Sequence, residues 1–264
     1  MTKPAKPLFE QRRERRKLLC AAVVAAAGGS LAGCDAVSND ERAVNVLRSA
    51  ETLTRSVQRT LGRRAMAQEF PASQIAPKFR PNGTTMPPGA AYAAMLADGF
   101  ASWRLQVDGL VDRPMAFSLA ELRAMPSRTQ ITRHDCVEGW SCIGQWKGVR
   151  LSYLLQLARP RPWARYVVFH CLDQMDEGDD RSRYYESVDL DDANHEQTIL
   201  AWELNGQPLP VENGAPLRAR IERQLGYKQP KYLRRIELVD SLADQGGGRG
   251  GYWEDQGYNW WAGI

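Results

Sequence analysis

Trp103, Leu105 and Val107 alternate with Arg104, Gln106 and Asp108, the period of two that marks a half-buried strand, and Asp108-Gly109 ends it. Residues 166–171 form an unbroken apolar run of strand length, which predicts a strand buried on both faces. Leu217, Ala219 and Ile221 alternate with Arg218, Arg220 and Glu222, and residues 236–239 give one more strand. Asn205-Gly206 is a hairpin signal between Ile199–Leu204 and a strand near Leu209. Helical spacing governs other stretches. Val46, Leu47, Leu53, Val57 and Leu61 recur on one face among arginines, predicting an amphipathic helix and then a tether over 41–70. Leu151–Ala158 is a short apolar helix stopped before Pro160, and Ser118-Leu119-Ala120-Glu121 opens another with a capping box. Pro71, Pro77, Pro81-Asn82-Gly83 and Pro87-Pro88-Gly89 mark irregular chain. Strands and helices mix without a regular βαβ repeat, so an α+β fold is expected.

The composition is that of a globular protein: 264 residues, 43% hydrophobic and 25% charged. The net charge of +4 suggests an anionic partner until it is located. Seven basic and two acidic residues fall in 1–33, so the rest carries 28 basic against 29 acidic side chains. The excess belongs to the leader, and a nucleic-acid partner is not expected. No GxGxxG follows a strand and no P-loop is present. The charged stretch 173–183 reads as a solvated loop, or more sharply as an acidic docking patch.

The leader reads as an export signal. Arg15-Arg16 precedes Lys17-Leu18-Leu19 and an apolar run to Ala27, too short to span a bilayer. The pair resembles a twin-arginine signal, and Leu31-Ala32-Gly33-Cys34 resembles a lipobox whose Cys34 is lipidated. With Asp35 after the cysteine, the expected location is the periplasmic face of the inner membrane. Without Cys20 and Cys34, three cysteines remain: Cys136, Cys142 and Cys171. An odd number at irregular spacing is no disulfide framework, so one thiol needs another explanation. Cys142 is expected in the core.

Arg133-His134-Asp135-Cys136-Val137-Glu138 is the densest cluster of reactive side chains. It contains no zinc spacing, and a Cys/His pair this close in sequence is not the usual nucleophile arrangement. Cys136-Val137-Glu138-Gly139-Trp140-Ser141, followed by Trp146-Lys147-Gly148-Val149, resembles the molybdenum-ligand segment of the sulfite oxidase family. Further motifs agree in order: residues 103–111, 166–169, 200–209, 213–218 and 225–231 resemble that family's strands, hairpin and cofactor loop. The likeness covers roughly 82–264.

The resemblance implies a mixed-sheet molybdopterin-binding domain over 81–264, after a signal in 1–33 and a helical linker in 34–80. It makes Cys136 the molybdenum ligand, a soft thiolate added to the pterin's own sulfurs. It places Asn82, Cys171, Asn213, Arg218, Gln229, Pro230 and Lys231 at the pterin, with Lys228 as a further cation for its phosphate. Cys171 departs from the family's hydroxyl residue, and a thiol is the weaker donor. His134 and Asp135 are candidates for the substrate pocket, and Arg133 or Arg150 for holding an oxyanion; His170 and His195 receive no role.

The function so implied is two-electron oxygen-atom transfer, either sulfite oxidation or sulfoxide reduction, by a lipid-tethered enzyme. Without a CxxCH motif no haem is expected on this chain, so electrons pass to or from a separate cytochrome. The chain is expected to be a monomer in that assembly. The alternative is a lipoprotein scaffold or ligand-binding module that keeps the fold without turnover.

Overall fold

The computed structural model describes residues 40–62, 65–176, 178–179 and 182–264. Arg15-Arg16 and Cys34 lie outside the described residues. The chain divides into two compact units, Met1–Val57 and Gln58–Ile264. Helix α1 (Glu41–Gly62) fulfils the helical expectation, with Val46, Leu53 and Val57 exposed along it. No described helix is long and apolar enough to cross a membrane.

The second unit follows α1 with α2 (Ala90–Ala97), β1 (Leu105–Gly109), β2 (Met115–Phe117), α3 (Leu119–Ala124) and the long pair β3 (Ser127–Cys136) and β4 (Trp140–Arg150). Then come α4 (Leu151–Ala158), β5 (Tyr166–Gln174), β6 (Arg183–Asp189), α5 (Leu190–Ala193), β7 (Ile199–Leu204), β8 (Gln207–Pro208), β9 (Arg218–Arg220), β10 (Leu233–Val239) and α6 (Tyr252–Asp255). One five-stranded sheet runs β2-β1-β10-β5-β6; β1 lies parallel to β10 and the other pairs are antiparallel, so the sheet is mixed. The other runs β3-β4-β7-β8, with β9 also on β7. The fold is α+β, as the element pattern implied.

Strand interiors follow the apolar code where one exists. Leu105 and Val107 are buried, as are Val167, Val168 and Phe169, and α3 begins with the full Ser118–Glu121 capping box. These residues join Leu151, Leu154 and Leu155 of α4 and Leu200 and Trp202 of β7 in one core shared by both sheets, apart from Val168. β3 is different. Its buried face carries Gln130, Thr132, His134 and Cys136, and β9 buries Arg218 and Arg220. The polar half of the 217–222 alternation therefore faces the interior rather than water.

The stretch 65–80, expected as tether, is fastened to the second sheet. Phe70 N donates to Ile131 O at 2.9 Å, Ala76 N to Ile143 O at 3.0 Å, and Glu69 bridges Thr132. Phe79 is buried edge-on to Trp146, with ring centroids 4.9 Å apart. Proline and polar residues hid this anchoring, because the segment pairs irregularly and has no periodicity. The compact body begins at Gln58, upstream of the boundary expected at 81.

Candidate active site

Cys136 ends β3, and the β3–β4 register pairs it with Trp140 across a three-residue turn. Gly139 closes that turn at φ 83°, where a side chain would be strained, and its N–H donates to Cys136 O at 3.0 Å. The thiol is free, only 8% exposed, and lines a cavity of 190 Å³. Burial raises its pKa, opposed by a backbone hydrogen bond from Glu138 and aided by the Glu138 carboxylate. A thiol so placed stays protonated until a cation takes it as thiolate. Among the described residues no group of three His, Cys, Asp or Glu side chains could hold a metal ion. A metal at Cys136 needs ligands from a cofactor.

The turn supplies Cys136, Val137 and Glu138 to the cavity. Asn82, Gly83 and Thr84 form another part of the wall, and Gly226, Tyr227, Gln229, Pro230 and Lys231 a third. Lys231 Nζ donates to the carbonyls of Asn82 at 2.5 Å and Glu212 at 3.1 Å, and to that of Thr84. Burial, with Arg218 next in size, lowers its pKa to about 7. Asp173, on the cavity wall, is raised to about 6 by burial against the opposing pull of Lys231.

Arg218 is fully buried and donates to the carbonyls of Asn213 at 3.0 Å and Gln229 at 3.3 Å, but to no carboxylate. Burial and the neighbouring Arg220 depress its pKa to about 9. A desolvated guanidinium without a counter-ion is costly, and an anion repairs it. Three polar atoms on the cavity wall are buried without partners, Asn82 Oδ1, Asp173 Oδ1 and Gln229 Oε1, while Asn213 Nδ2 and Arg218 Nε are likewise unpartnered but belong to residues off that wall. Such atoms are rare in a finished protein, and they mark places where a polar ligand completes the bonding. The residues present therefore fit an anionic, hydrogen-bonding group such as a pterin phosphate.

Other expected site residues lie elsewhere. Lys228 is not available to a phosphate, since its Nζ is buried between Glu186 and Glu254, 2.5 Å from the latter's Oε1. His134 is wholly buried and accepts from Arg220 on Nδ1, and Asp135 pairs with Arg133 and Ser141; neither lines the Cys136 cavity. The two sit within two residues of Cys136, but strand alternation sends Asp135 to the opposite face and packs His134 under the 226–228 turn. Cys171 is sealed in the hydrophobic core and is absent from the cavity wall. Cys142 is in the second core cluster, with Phe79 and Trp146. Arg133 and Arg150 are engaged by Asp135 and Glu196. Sequence reasoning missed Glu138, Trp253 and Tyr258 on the wall and the buried pair Arg220–Glu222; only burial and tertiary proximity reveal them.

A mixed-sheet α+β body that presents one free thiol and orphaned polar atoms to a cavity has what a pterin-metal oxidoreductase requires. Comparison with known proteins agrees: the profile described as "Oxidoreductase molybdopterin binding domain" matches residues 93–245. The chain belongs to this family, that of the sulfite oxidases, and is an oxidoreductase. It is 39% identical over 237 residues to the "Putative protein-methionine-sulfoxide reductase subunit YedZ1" of Azospira oryzae, covering 88% of this chain and 81% of that one. It is 35% identical over 165 residues to the "Protein-methionine-sulfoxide reductase catalytic subunit MsrP" of Ralstonia nicotianae, covering 60% of this chain and 49% of that one. The chain thus spans about half the length of that second relative. A solved structure, the sulfane dehydrogenase SoxCD from Paracoccus pantotrophus, is similar at TM-score 0.47 and 23% identity, over 53% of this chain and 39% of its own.

Proposed function

We propose that the chain is a lipid-tethered enzyme outside the cytoplasmic membrane that reduces a sulfoxide at molybdopterin, with electrons from a separate cytochrome. The observation that carries this is the free Cys136 thiol on a cavity wall that also carries unsatisfied polar atoms of Asn82, Asp173 and Gln229. When bound, the cofactor supplies two-electron oxygen-atom transfer, in which a sulfoxide, two protons and two electrons become a thioether and water. Cys136 would hold the metal through its sulfur. Arg218, Asn213 and Lys231 would hold the anionic tail, with Gln229 and Pro230 on the cavity wall. Asp173, with a pKa of about 6, puts a carboxyl group that titrates below neutral pH on the cavity wall.

A neutral sulfoxide suits this site better than sulfite. Glu138 and Asp173 put carboxyl groups on the wall, while Arg133 and Arg150 are ion-paired outside it. The methionine-sulfoxide reductase relatives point the same way, and the first of them, a subunit, supports a partner protein. Export by the twin-arginine route as a folded protein, and anchoring through Cys34, complete the proposal.

The test is elemental analysis and turnover of protein purified from the exported fraction. About one molybdenum per chain, lost in Cys136→Ser, with methionine sulfoxide reduced through an artificial electron donor, is the expected result. Sulfite oxidation without sulfoxide reduction would reverse the direction of the reaction, and a folded, metal-free protein would end the reading.

A further inference from the structure

The family match stops at residue 245, yet the Cys136 cavity takes part of its wall from the chain beyond it: Trp253 and Tyr258. The two rings are stacked, with centroids 5.4 Å apart and planes at 29°, and Tyr258 N donates to Trp253 O at 3.0 Å. Tyr227, on the cofactor loop, meets Tyr258 edge-on at 5.3 Å. Tyr258 is 41% exposed, so the stack reaches from the cavity to solvent.

A buried ion cluster holds this wall. Glu254, the residue after Trp253 on α6, points inward to Lys228 of the cofactor loop, and Glu186 of β6 takes the same ammonium. A four-residue helix has little stability of its own, and a cation desolvated between two carboxylates ties it to the cavity loop. Lys228 thereby fixes the aromatic surface instead of touching a phosphate.

We infer that the Trp253–Tyr258 stack is the specificity-determining surface of this site, seating the sulfur end of a methyl sulfoxide on a peptide and turning oxyanions away. The inference rests on the sulfoxide reading above and names the residues that enforce it. A sulfoxide sulfur and its methyl group carry partial positive charge, and ring faces attract such groups. The same faces, with the Glu138 carboxylate elsewhere on the cavity wall, repel a dianion. The partly open stack also admits a side chain still attached to its polypeptide.

The experiment compares full-length wild type, Trp253→Ala, Tyr258→Ala and Trp253→Phe. Each is titrated calorimetrically with a peptide containing methionine sulfone, an isostere that cannot be reduced, and then assayed with the matching sulfoxide peptide. The alanine variants should bind the sulfone peptide roughly three- to tenfold more weakly and raise KM by a similar factor, a larger change than any in kcat. Trp253→Phe should recover most of the binding. Unchanged affinity in both alanine variants, or no sulfone binding by the wild type, overturns the inference. If wild type binds the sulfone and the variants lose it while no sulfoxide is turned over, the surface stands and the reaction assignment falls.

Discussion

Arg220 donates from Nη1 to Nδ1 of His134 at 2.9 Å, inside a seam where neither residue meets solvent. The other side of the same guanidinium grips Glu222 at 2.6 and 3.0 Å, and Glu222 in turn accepts from Gln130 at 2.8 Å. Burial and then Arg220 itself hold the His134 pKa well below its usual value, so the ring is neutral. The seam thus runs along β3 toward Cys136 and fixes the strand that ends in that thiol. Replacing Arg220 by Leu strands the Glu222 carboxylate in the interior. The loss should be about 3–5 kcal/mol in urea unfolding. Glu222→Gln in the same chain should restore part of it.

The three thiols should separate cleanly. Cys136→Ser should fold like the wild type and lose its metal, because a hydroxyl is a poor substitute for a soft thiolate. Cys171→Ser and Cys142→Ser should keep the metal. Cys171 is wholly buried in the core, so Cys171→Ser should cost about 1–3 kcal/mol through an uncompensated hydroxyl. Metal content and urea midpoints check both statements.

Lys228 distinguishes a clamp from a phosphate donor. Lys228→Met leaves Glu186 and Glu254 buried without their cation and should cost about 3–5 kcal/mol. Adding Glu186→Gln and Glu254→Gln should recover much of this stability. A phosphate donor would instead lose cofactor in all these variants while the stability of the cofactor-free chain held steady.

The cofactor-free chain should show a stability minimum between about pH 6 and 7. Asp173 titrates at about 6 in the fold against an ordinary 3.8, so the folded state binds more protons in that window and stability falls as pH rises through it. Lys231 titrates at about 7 against 10.5, so the unfolded state binds more protons there and stability rises with pH. Lys231→Met should flatten the alkaline limb. An anionic cofactor tail should do the same by raising the Lys231 pKa, and melting curves across pH with and without cofactor test this.

Gly226 packs where a Cβ would lie 2.5 Å from His134 Nε2 and 2.7 Å from its Cε1. Gly226→Ala should push the cofactor loop off β3, and molybdenum occupancy should fall well before the protein unfolds, read by metal content against melting temperature.

Apolar periodicity made β1, β5, β7, β10, α4 and the α3 cap legible, since each buries a face of hydrocarbon that only one spacing explains. β3 and β4 escaped it. The buried positions of β3 are Gln130, Thr132, His134 and Cys136, so its inward face carries no hydrophobic code, and on β4 the buried Cys142, Trp146 and Val149 are interrupted by Gly144 and Gly148. Their hydrogen-bonding partners come from β9 and from Gln197, far away in sequence.

The linear chain was sufficient to single out Cys136 within an ordered set of motifs, because that thiol and its flanking residues are adjacent along the backbone. It also singled out Lys231, which lines the same cavity. Folding alone decided that Lys228 is neutralised inside the protein, that His134 and Asp135 leave the cavity on different faces, and that Trp253 and Tyr258 enter it. Those outcomes depend on which charges share a desolvated space and which rings meet across a cavity, and both are set by distances between segments that the order of residues does not encode locally.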